Sequence, residues 1–198
     1  MAAFKSADRR VRFALGRRAA RTLAAERYGC APADVPLTVG PDGAPRLAGA
    51  YVSISHAGRG GGHGPAPVGA AVVGDRPVGV DVEAVARRHP ALWRRILRDD
   101  EGEVLDALGG PTDRAQTLVW SMKEAVLKGQ RTGLRAGARS VRLALDAAPP
   151  GAPPGAPPDG AGGAGRAWAE ASGAWRLAYA DLGGLWLVVA WAEGGAAG

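Results

Sequence analysis

The sequence feature that most constrains this chain is the segment 112–130, whose apolar spacing predicts a helix. The opposite side of that helix carries Trp120, Glu124 and Lys128, one turn apart. A solvated Glu–Lys pair at i, i+4 is the simpler interpretation of these charges. Trp120 favours a covered, functional face instead, because an exposed indole leaves a large apolar area in water. The core-facing stripe consists of Ala115, Leu118, Val119, Met122 and Val126.

Positive charge is concentrated at the start of the chain. The 198-residue sequence has a net formal charge of +6, and residues 1–28 hold eight Lys or Arg against two Asp or Glu, so the remainder is neutral. A positive field on one element predicts an anionic partner, which could be nucleic acid, a polyphosphate cofactor or an acidic protein. The repeat of Val11, Leu15, Ala19 and Leu23 predicts a helix over 5–28, which argues against a transit peptide.

The remaining composition excludes several classes of protein. Cys30 is the single cysteine, so the chain forms no intramolecular disulfide and no Cys-based zinc site. The three histidines show no metal-ligand spacing. No signal peptide is visible, and the longest apolar run, residues 185–191, is too short to cross a bilayer. We therefore expect a soluble, cytoplasmic protein without a membrane partner.

Elsewhere the pattern predicts an α+β protein of short strands and helices. The Pro/Gly/Ala tract at 147–165 has almost no side chain able to form a core, so we expect a flexible insertion there. A divide near residue 76 predicts two parts, 1–76 with the basic helix and 77–198 with the central helix. Further helices are expected at 88–98 and 100–108, and strands at 36–39, 51–55, 68–73, 78–83, 140–145, 166–170, 175–180 and 185–191, the last three mostly antiparallel.

The strongest local signal is the strand 78–83, Val-Gly-Val-Asp-Val-Glu. Side chains alternate along a strand, so the three valines face one way while Asp81 and Glu83 face the other. A solvated strand end explains the two carboxylates. A bound cation explains them equally, because neighbouring carboxylates repel each other unless positive charge lies between them. Mg²⁺ fits this second interpretation, with Glu124 as the expected third ligand.

A second signal is the segment Ser53-Ile54-Ser55-His56 at the end of a strand. Ser53 and Ser55 share one face, and His56 closes the strand. A hydrogen-bonded turn histidine is one interpretation. The other uses a hydroxyl and an imidazole to hold phosphate oxygens, or the imidazole to handle a proton near neutral pH.

Together these motifs resemble the signature of the 4′-phosphopantetheinyl transferase superfamily. The matching segments are 79–83, Gly-Val-Asp-Val-Glu, and 120–128, Trp-Ser-Met-Lys-Glu-Ala-Val-Leu-Lys, with 53–56 as the upstream Ser-x-Ser-His element. The resemblance runs from about residue 5 to residue 145. The chain length resembles the larger, surfactin-synthetase-activating type, a pseudo-dimeric monomer. This implies two similar α+β halves, with antiparallel sheets and a long helix in each half.

The resemblance implies a Mg²⁺-dependent reaction with coenzyme A as donor. A serine of an acyl or peptidyl carrier protein attacks the β-phosphate, takes up the phosphopantetheine arm and releases 3′,5′-ADP. It implies that Asp81, Glu83 and Glu124 bind the metal on the pyrophosphate. It also implies that Lys128 neutralises the same phosphates or assists the leaving group. Glu124 or a water on the metal would serve as the base, and the sequence leaves both open.

Further residues are carried over for coenzyme A binding. Ser55 and His56 would contact its phosphate oxygens, and Lys5 and Arg10 lie where the family has basic residues for the 3′-phosphate. The family's Gly-Lys-Pro is Gly-Ala-Pro at 43–45 in this chain, and Arg46 would supply the missing charge.

Two alternatives remain beside the transferase. One is a degenerate, non-catalytic member, through Ala44 or because this sequence begins almost at the basic helix, where the family usually has a preceding strand. The other is a basic nucleic-acid-binding module that uses the arginines of residues 1–28. That module leaves the carboxylates unexplained, and we expect no nucleic-acid partner. The carrier protein could serve fatty acid, polyketide or nonribosomal peptide synthesis.

Overall fold

The computed structural model describes residues 7–58, 66–132, 137–145 and 164–193. Its helices are α1 (Ala7–Tyr28), α2 (Pro90–Ile96), α3 (Gly102–Ala107) and α4 (Asp113–Gly129), with a short 3-10 helix at Ala138–Ser140. Its strands are β1 (Thr38–Val39), β2 (Pro45–Arg46), β3 (Tyr51–Ala57), β4 (Val68–Gly74), β5 (Val78–Ala84), β6 (Arg142–Leu145), β7 (Ala164–Glu170), β8 (Ala174–Asp181) and β9 (Leu185–Ala192). Each helix and strand expected from the sequence is present, with shifted ends. Strand β2 adds an element within a segment that reads as a turn.

The largest sheet contains five antiparallel strands in the order β5-β9-β8-β7-β6. Its first strand in the chain therefore lies beside its last, with Asp81 opposite Val188. Two smaller antiparallel sheets pair β3 with β4 and β1 with β2. The α+β class with antiparallel sheets is confirmed.

Helix α4 packs on β5 and β9 at very short range. Its start is capped by Thr112, whose side-chain oxygen accepts a hydrogen bond of 3.2 Å from Ala115 N. Gly79 permits the close approach, because a Cβ atom there would lie 1.8 Å from the carbonyl oxygen of Ala125. The stripe predicted from the sequence is buried in the main core, and so is most of the rest of the helix surface.

Helix α1 packs on β4 and β3, but through positions one residue after the predicted apolar repeat. The buried residues are Gly16, Ala20, Ala24 and Ala25, whereas Val11 and Leu23 are about half exposed. The reason is steric, since a Cβ on Gly69 of β4 would meet the backbone nitrogen of Gly16 at 2.3 Å. A contact this close accepts only small side chains.

Strand β3 lies against the free edge of β5, and serine side chains join the two. Ser53 Oγ accepts a hydrogen bond of 3.1 Å from Val80 N, and Ser55 Oγ accepts one of 3.3 Å from Val82 N. Two residues further along β3, from Ser53 to Ser55, the partner is also two residues further along β5, from Val80 to Val82. The two strands therefore run parallel. We call this contact the serine seam.

Some of the expected features lie outside the described residues. These are Lys5 and most of the 147–165 tract, although residues 164 and 165 already belong to β7. In the described part of the chain, the region before residue 76 places α1 on β3 and β4, and the region after it places α4 on the five-stranded sheet. None of the helices in these ranges is long and apolar enough to span a bilayer.

Candidate active site

The centre of the site is the buried carboxylate of Asp81 on β5. Its Oδ1 atom accepts a hydrogen bond of 2.9 Å from Ser55 Oγ and lies 2.6 Å from the ammonium of Lys128. Its Oδ2 atom accepts a hydrogen bond of 2.8 Å from Ser121 Oγ. One carboxylate is therefore held by β3 and by two turns of α4, so its position is fixed where these elements meet.

Lys128 reaches this carboxylate from the last turn of α4. Its Nζ atom also donates a hydrogen bond of 2.9 Å to Ser55 Oγ. The spacing of Ser121 and Lys128, seven residues or about two turns, puts both on one side of the helix. An ammonium group at this depth offers positive charge to an anionic ligand that comes to rest beside Asp81.

Glu83 continues the line of carboxylates toward the end of β5. Its Oε2 atom forms an ion pair of 2.7 Å with the guanidinium of Arg88, and its Oε1 atom accepts a hydrogen bond of 3.2 Å from the indole nitrogen of Trp120. The indole of Trp120 therefore donates a hydrogen bond to Glu83 and also packs against the buried cluster of Trp93, Ile96 and Ala138. Glu83 is half-buried and carries a cationic partner of its own.

Glu124 lies one turn before Lys128 and is the least satisfied acid of the site. Its Oε1 atom is buried and has no hydrogen-bond partner among the described residues. Burial raises the pKa of Glu124 to about 7; the charge of Lys128 opposes this rise, and the charges of Asp81 and Glu83 add to it. The four side chains therefore share one electrostatic environment, in which the carboxyl group of Glu124 binds a proton more readily than an exposed glutamate does.

This geometry coincides with a family match. Residues 77–176 match the family model described as the 4′-phosphopantetheinyl transferase superfamily, and this stretch includes Asp81, Glu83, Glu124 and Lys128. The chain belongs to the 4′-phosphopantetheinyl transferase superfamily. A comparison with curated proteins found no match for the chain.

Mg²⁺, which the superfamily resemblance implies, can be tested against these side chains. All three acids offer the oxygen ligands that Mg²⁺ prefers, and one oxygen of Glu124 is buried without a hydrogen-bond partner among the described residues. As placed, Asp81 is paired with Lys128 and Glu83 with Arg88. Within the described ranges, no three or more His, Cys, Asp or Glu side chains are arranged so that they could hold a metal ion. The donor chemistry fits Mg²⁺, provided that these cationic side chains move off the carboxylates.

The structure brings some of the other superfamily positions to this centre and leaves others apart. Ser55 is in direct contact with Asp81 and Lys128. His56 is exposed on the opposite side of β3, and its imidazole has no hydrogen bond or ion pair to any described residue. Arg10 is exposed on α1, and Arg46 forms an ion pair of 3.0 Å with Asp42.

Three side chains that contact the acids of this site were not predicted as metal, phosphate or catalytic residues. Ser121 and Trp120 were inside the recognised motif, and their helical spacing from Glu124 and Lys128 was a usable signal. Arg88 lies in an irregular segment after β5, so no helical or strand spacing predicts its position. Its ion pair with Glu83 depends on the backbone conformation of that segment.

A cavity of about 380 Å³ opens beside this centre. Lys128 lines it from the end of α4, together with Ser53 and Ile54 of β3 and the turn that includes Ala44. It thus links the carboxylate centre to the segment where the superfamily usually has Gly-Lys-Pro. Arg131, which follows α4, also lines this cavity.

Proposed function

We propose that this protein transfers the 4′-phosphopantetheine group of coenzyme A to a serine of an acyl or peptidyl carrier protein, with Mg²⁺, and releases 3′,5′-ADP. The observation that carries the proposal is the buried Asp81 carboxylate, held by Ser55, Ser121 and Lys128 and coupled to Glu83 and Glu124, inside a superfamily domain. The buried oxygen of Glu124, which has no hydrogen-bond partner among the described residues, supports the proposal because buried polar atoms are usually paired.

The proposed metal-binding residues are Asp81, Glu83 and Glu124. When bound, Mg²⁺ supplies positive charge to the pyrophosphate of coenzyme A, where negative charge develops during transfer. Lys128 would release Asp81 and turn its ammonium toward the same phosphates. Arg88 would release Glu83 in the same way. Both movements exchange an internal ion pair for contacts to ligand, which conserves the pairing of charges.

In the transfer step, the carrier's serine hydroxyl attacks the β-phosphorus. A new bond forms between the serine oxygen and phosphorus, and the bond from phosphorus to the oxygen of the 3′,5′-ADP portion breaks. The serine proton goes to the carboxylate of Glu124, our first choice of base. The developing charge on 3′,5′-ADP is met by Lys128.

For coenzyme A, we propose that the cavity beside Lys128 takes its phosphate-bearing end, near Ser55 and Arg46. Lys5, Arg10 and His56 stay in the proposal as further phosphate contacts. For His56, this requires a phosphate that approaches the outer side of β3. We also propose that the chain is of the larger, pseudo-dimeric type and acts as a monomer, which is supported by a helix packed on a sheet both before and after residue 76.

The direct test incubates the protein with coenzyme A, Mg²⁺ and several apo carrier domains, followed by mass spectrometry of the carrier. The expected result is a gain of one phosphopantetheine group, which disappears with EDTA. Asp81→Asn and Glu124→Gln should each lower turnover by about 100-fold or more. Glu103→Gln, an identical change at an exposed position of α3, serves as the matched control.

The outcomes separate the alternatives. Transfer that is lost in both site variants and kept in Glu103→Gln supports the proposal. No mass gain across all carriers, in a folded protein, would identify a non-catalytic member of the superfamily. Binding to DNA with steep salt dependence and no transfer would favour the nucleic-acid module.

A further inference from the structure

The end of helix α4 has a conformation that normally calls for glycine. Thr132 N donates a hydrogen bond of 3.2 Å to Leu127 O, and Arg131 N donates one of 3.1 Å to Lys128 O. The six-residue closure is that of a Schellman motif, in which the residue after the cap adopts the left-handed region. Here that residue is Arg131, with a φ of +60°.

An arginine at this position carries a conformational cost. The Cβ of an L-residue crowds the backbone in the left-handed region, and glycine avoids this crowding. Strained backbone of this kind concentrates where a side chain has a function. A basic side chain could instead interact with the carbonyls of the last helical turn. The surroundings of Arg131 distinguish these two explanations.

The side chain of Arg131 extends away from the helix end. It lines the cavity of about 380 Å³ shared with Lys128, and its guanidinium carbon lies 6.0 Å from the centre of the Tyr51 ring. Across the described ranges of the chain, its guanidinium group has no hydrogen-bond or ion-pair partner. A half-buried guanidinium that lines a cavity without a counter-ion is positioned for an anionic ligand.

The other charges of this cavity are already balanced. Lys128 is bound to Asp81 and Ser55. Asp42, the one acid among the residues that line the cavity, is paired with Arg46 at 3.0 Å and accepts a hydrogen bond from Ala44 N. Arg131 therefore adds net positive charge to the cavity.

We propose that Arg131 is a phosphate-binding residue of the donor cavity, where its guanidinium bonds a phosphate group of coenzyme A and acts alongside Lys128. This inference rests on the proposed function and extends it to a residue outside the recognised motifs. Arg131 and Ala44 line the same cavity, so Arg131 adds positive charge to the cavity that contains the Gly-Ala-Pro segment.

The test uses the unusual backbone of this position. Arg131→Gly removes the guanidinium and relieves the strained φ, so the variant should fold with an unchanged or higher Tm. Arg131→Lys keeps the charge. As a control, Arg76→Gly removes one positive charge from an exposed position that is distant from Arg131 in the sequence. The dissociation constants of coenzyme A, 3′-dephospho-coenzyme A and 3′,5′-ADP are measured by calorimetry for each variant.

The expected result is that Arg131→Gly weakens coenzyme A binding by about 10-fold or more, the loss typical of one charge-assisted hydrogen bond. Arg131→Lys should recover part of the affinity, and Arg76→Gly should match the wild type. A loss confined to ligands with the 3′-phosphate assigns the contact to that group, and an equal loss with 3′-dephospho-coenzyme A assigns it to the pyrophosphate.

Three results would overturn the inference. If the wild type binds coenzyme A and Arg131→Gly binds it equally well, the inference fails and the proposed function stands. If Arg76→Gly loses as much affinity as Arg131→Gly, only the general charge of the protein matters. If the wild type does not bind coenzyme A, both the inference and the proposed function are wrong.

Discussion

The ammonium of Lys123 lies 2.7 Å from a carboxylate oxygen of Glu101, and the two side chains are 0% and 1% exposed. The same ammonium donates hydrogen bonds of 3.0 Å to the carbonyl oxygens of Ile96 and Val141. Burial lowers the pKa of Lys123, and the adjacent Glu101 counteracts this shift. The pair ties the centre of α4 to the segment before α3 and to the start of β6, about 100° around the helix from Glu124.

This buried pair predicts a large asymmetry between single and double replacement. Lys123→Met should lower the free energy of unfolding by about 3–5 kcal/mol, because it leaves the charge of Glu101 buried without its cationic partner. The double variant Lys123→Met, Glu101→Leu should recover much of this loss. Urea denaturation of both variants at neutral pH is the measurement. A loss below about 1 kcal/mol in Lys123→Met would contradict the ion pair.

Gly79 predicts a steric test of the contact between α4 and β5. A methyl group at this position would overlap the Ala125 carbonyl, so Gly79→Ala should lower the free energy of unfolding by about 3 kcal/mol or prevent folding. Gly102→Ala is the matched control, because a Cβ there meets nothing within 4 Å and the residue begins α3. The control should be neutral or more stable by up to about 1 kcal/mol. Thermal denaturation compares the two, and equal Tm values would show that the close approach is wrong.

Glu124 predicts a pH dependence of stability in the protein without divalent ions. Its carboxyl pKa is raised from 4.5 to about 7, so the folded state binds more protons than the unfolded state between these values. The contribution of Glu124 is fully present below pH 4.5 and is lost as the pH rises through about 7.

The Glu124→Gln variant, which cannot titrate, isolates this contribution. Wild type should lose about 1–3 kcal/mol relative to Glu124→Gln as the pH rises from about 5 to 8, a range reduced for the partial exposure of the side chain. Urea denaturation with EDTA at several pH values provides the curves. Parallel curves for the two proteins would place the pKa of Glu124 near its ordinary value.

The ion pair between Arg88 and Glu83 predicts competition with a metal ion. If Glu83 binds Mg²⁺, removal of the guanidinium in Arg88→Gln should raise the affinity for Mg²⁺ by about 3- to 10-fold. Arg87→Gln, at the exposed neighbouring position, should leave the affinity unchanged. Calorimetric titration with Mg²⁺ measures both. Equal affinity in wild type and Arg88→Gln would remove Glu83 from the metal ligands.

The spacing of apolar and charged residues predicted the two faces of α4, but it did not predict which distant residues pack against them. The stripe from Ala115 to Val126 and the line from Trp120 to Lys128 both occupy the faces expected. Periodicity did not show that Lys123 is fully buried, because its partner Glu101 lies in an irregular segment distant in sequence. From the sequence alone, a lysine that lies between the two recognised faces of a helix is expected to be exposed to solvent. Only the position of its partner, Glu101, shows that it is buried.

The strands show the same division between local and long-range information. Alternation correctly placed Ser53 and Ser55 on one face of β3, and the same rule puts His56 on the other, where the structure has it exposed. The placement of β5 beside β9 is a long-range pairing that local pattern does not encode. The packing of α4 on β5, which brings Ser121 and Lys128 to the carboxylate of Asp81, is long-range information of the same kind.

In the serine seam, the side chain of Ser55 forms two hydrogen bonds at once. Its hydroxyl satisfies the amide of Val82 and also orients the carboxylate of Asp81. A shift of β3 by one residue would place Ile54 opposite β5. The amide of Val82 would then lose its hydrogen-bond acceptor, and the carboxylate of Asp81 would lose the hydrogen bond from Ser55. A shift of β3 against β5 would therefore displace the carboxylate at the centre of the proposed active site. The packing of these two strands and the proposed transferase activity depend on the same hydroxyl group.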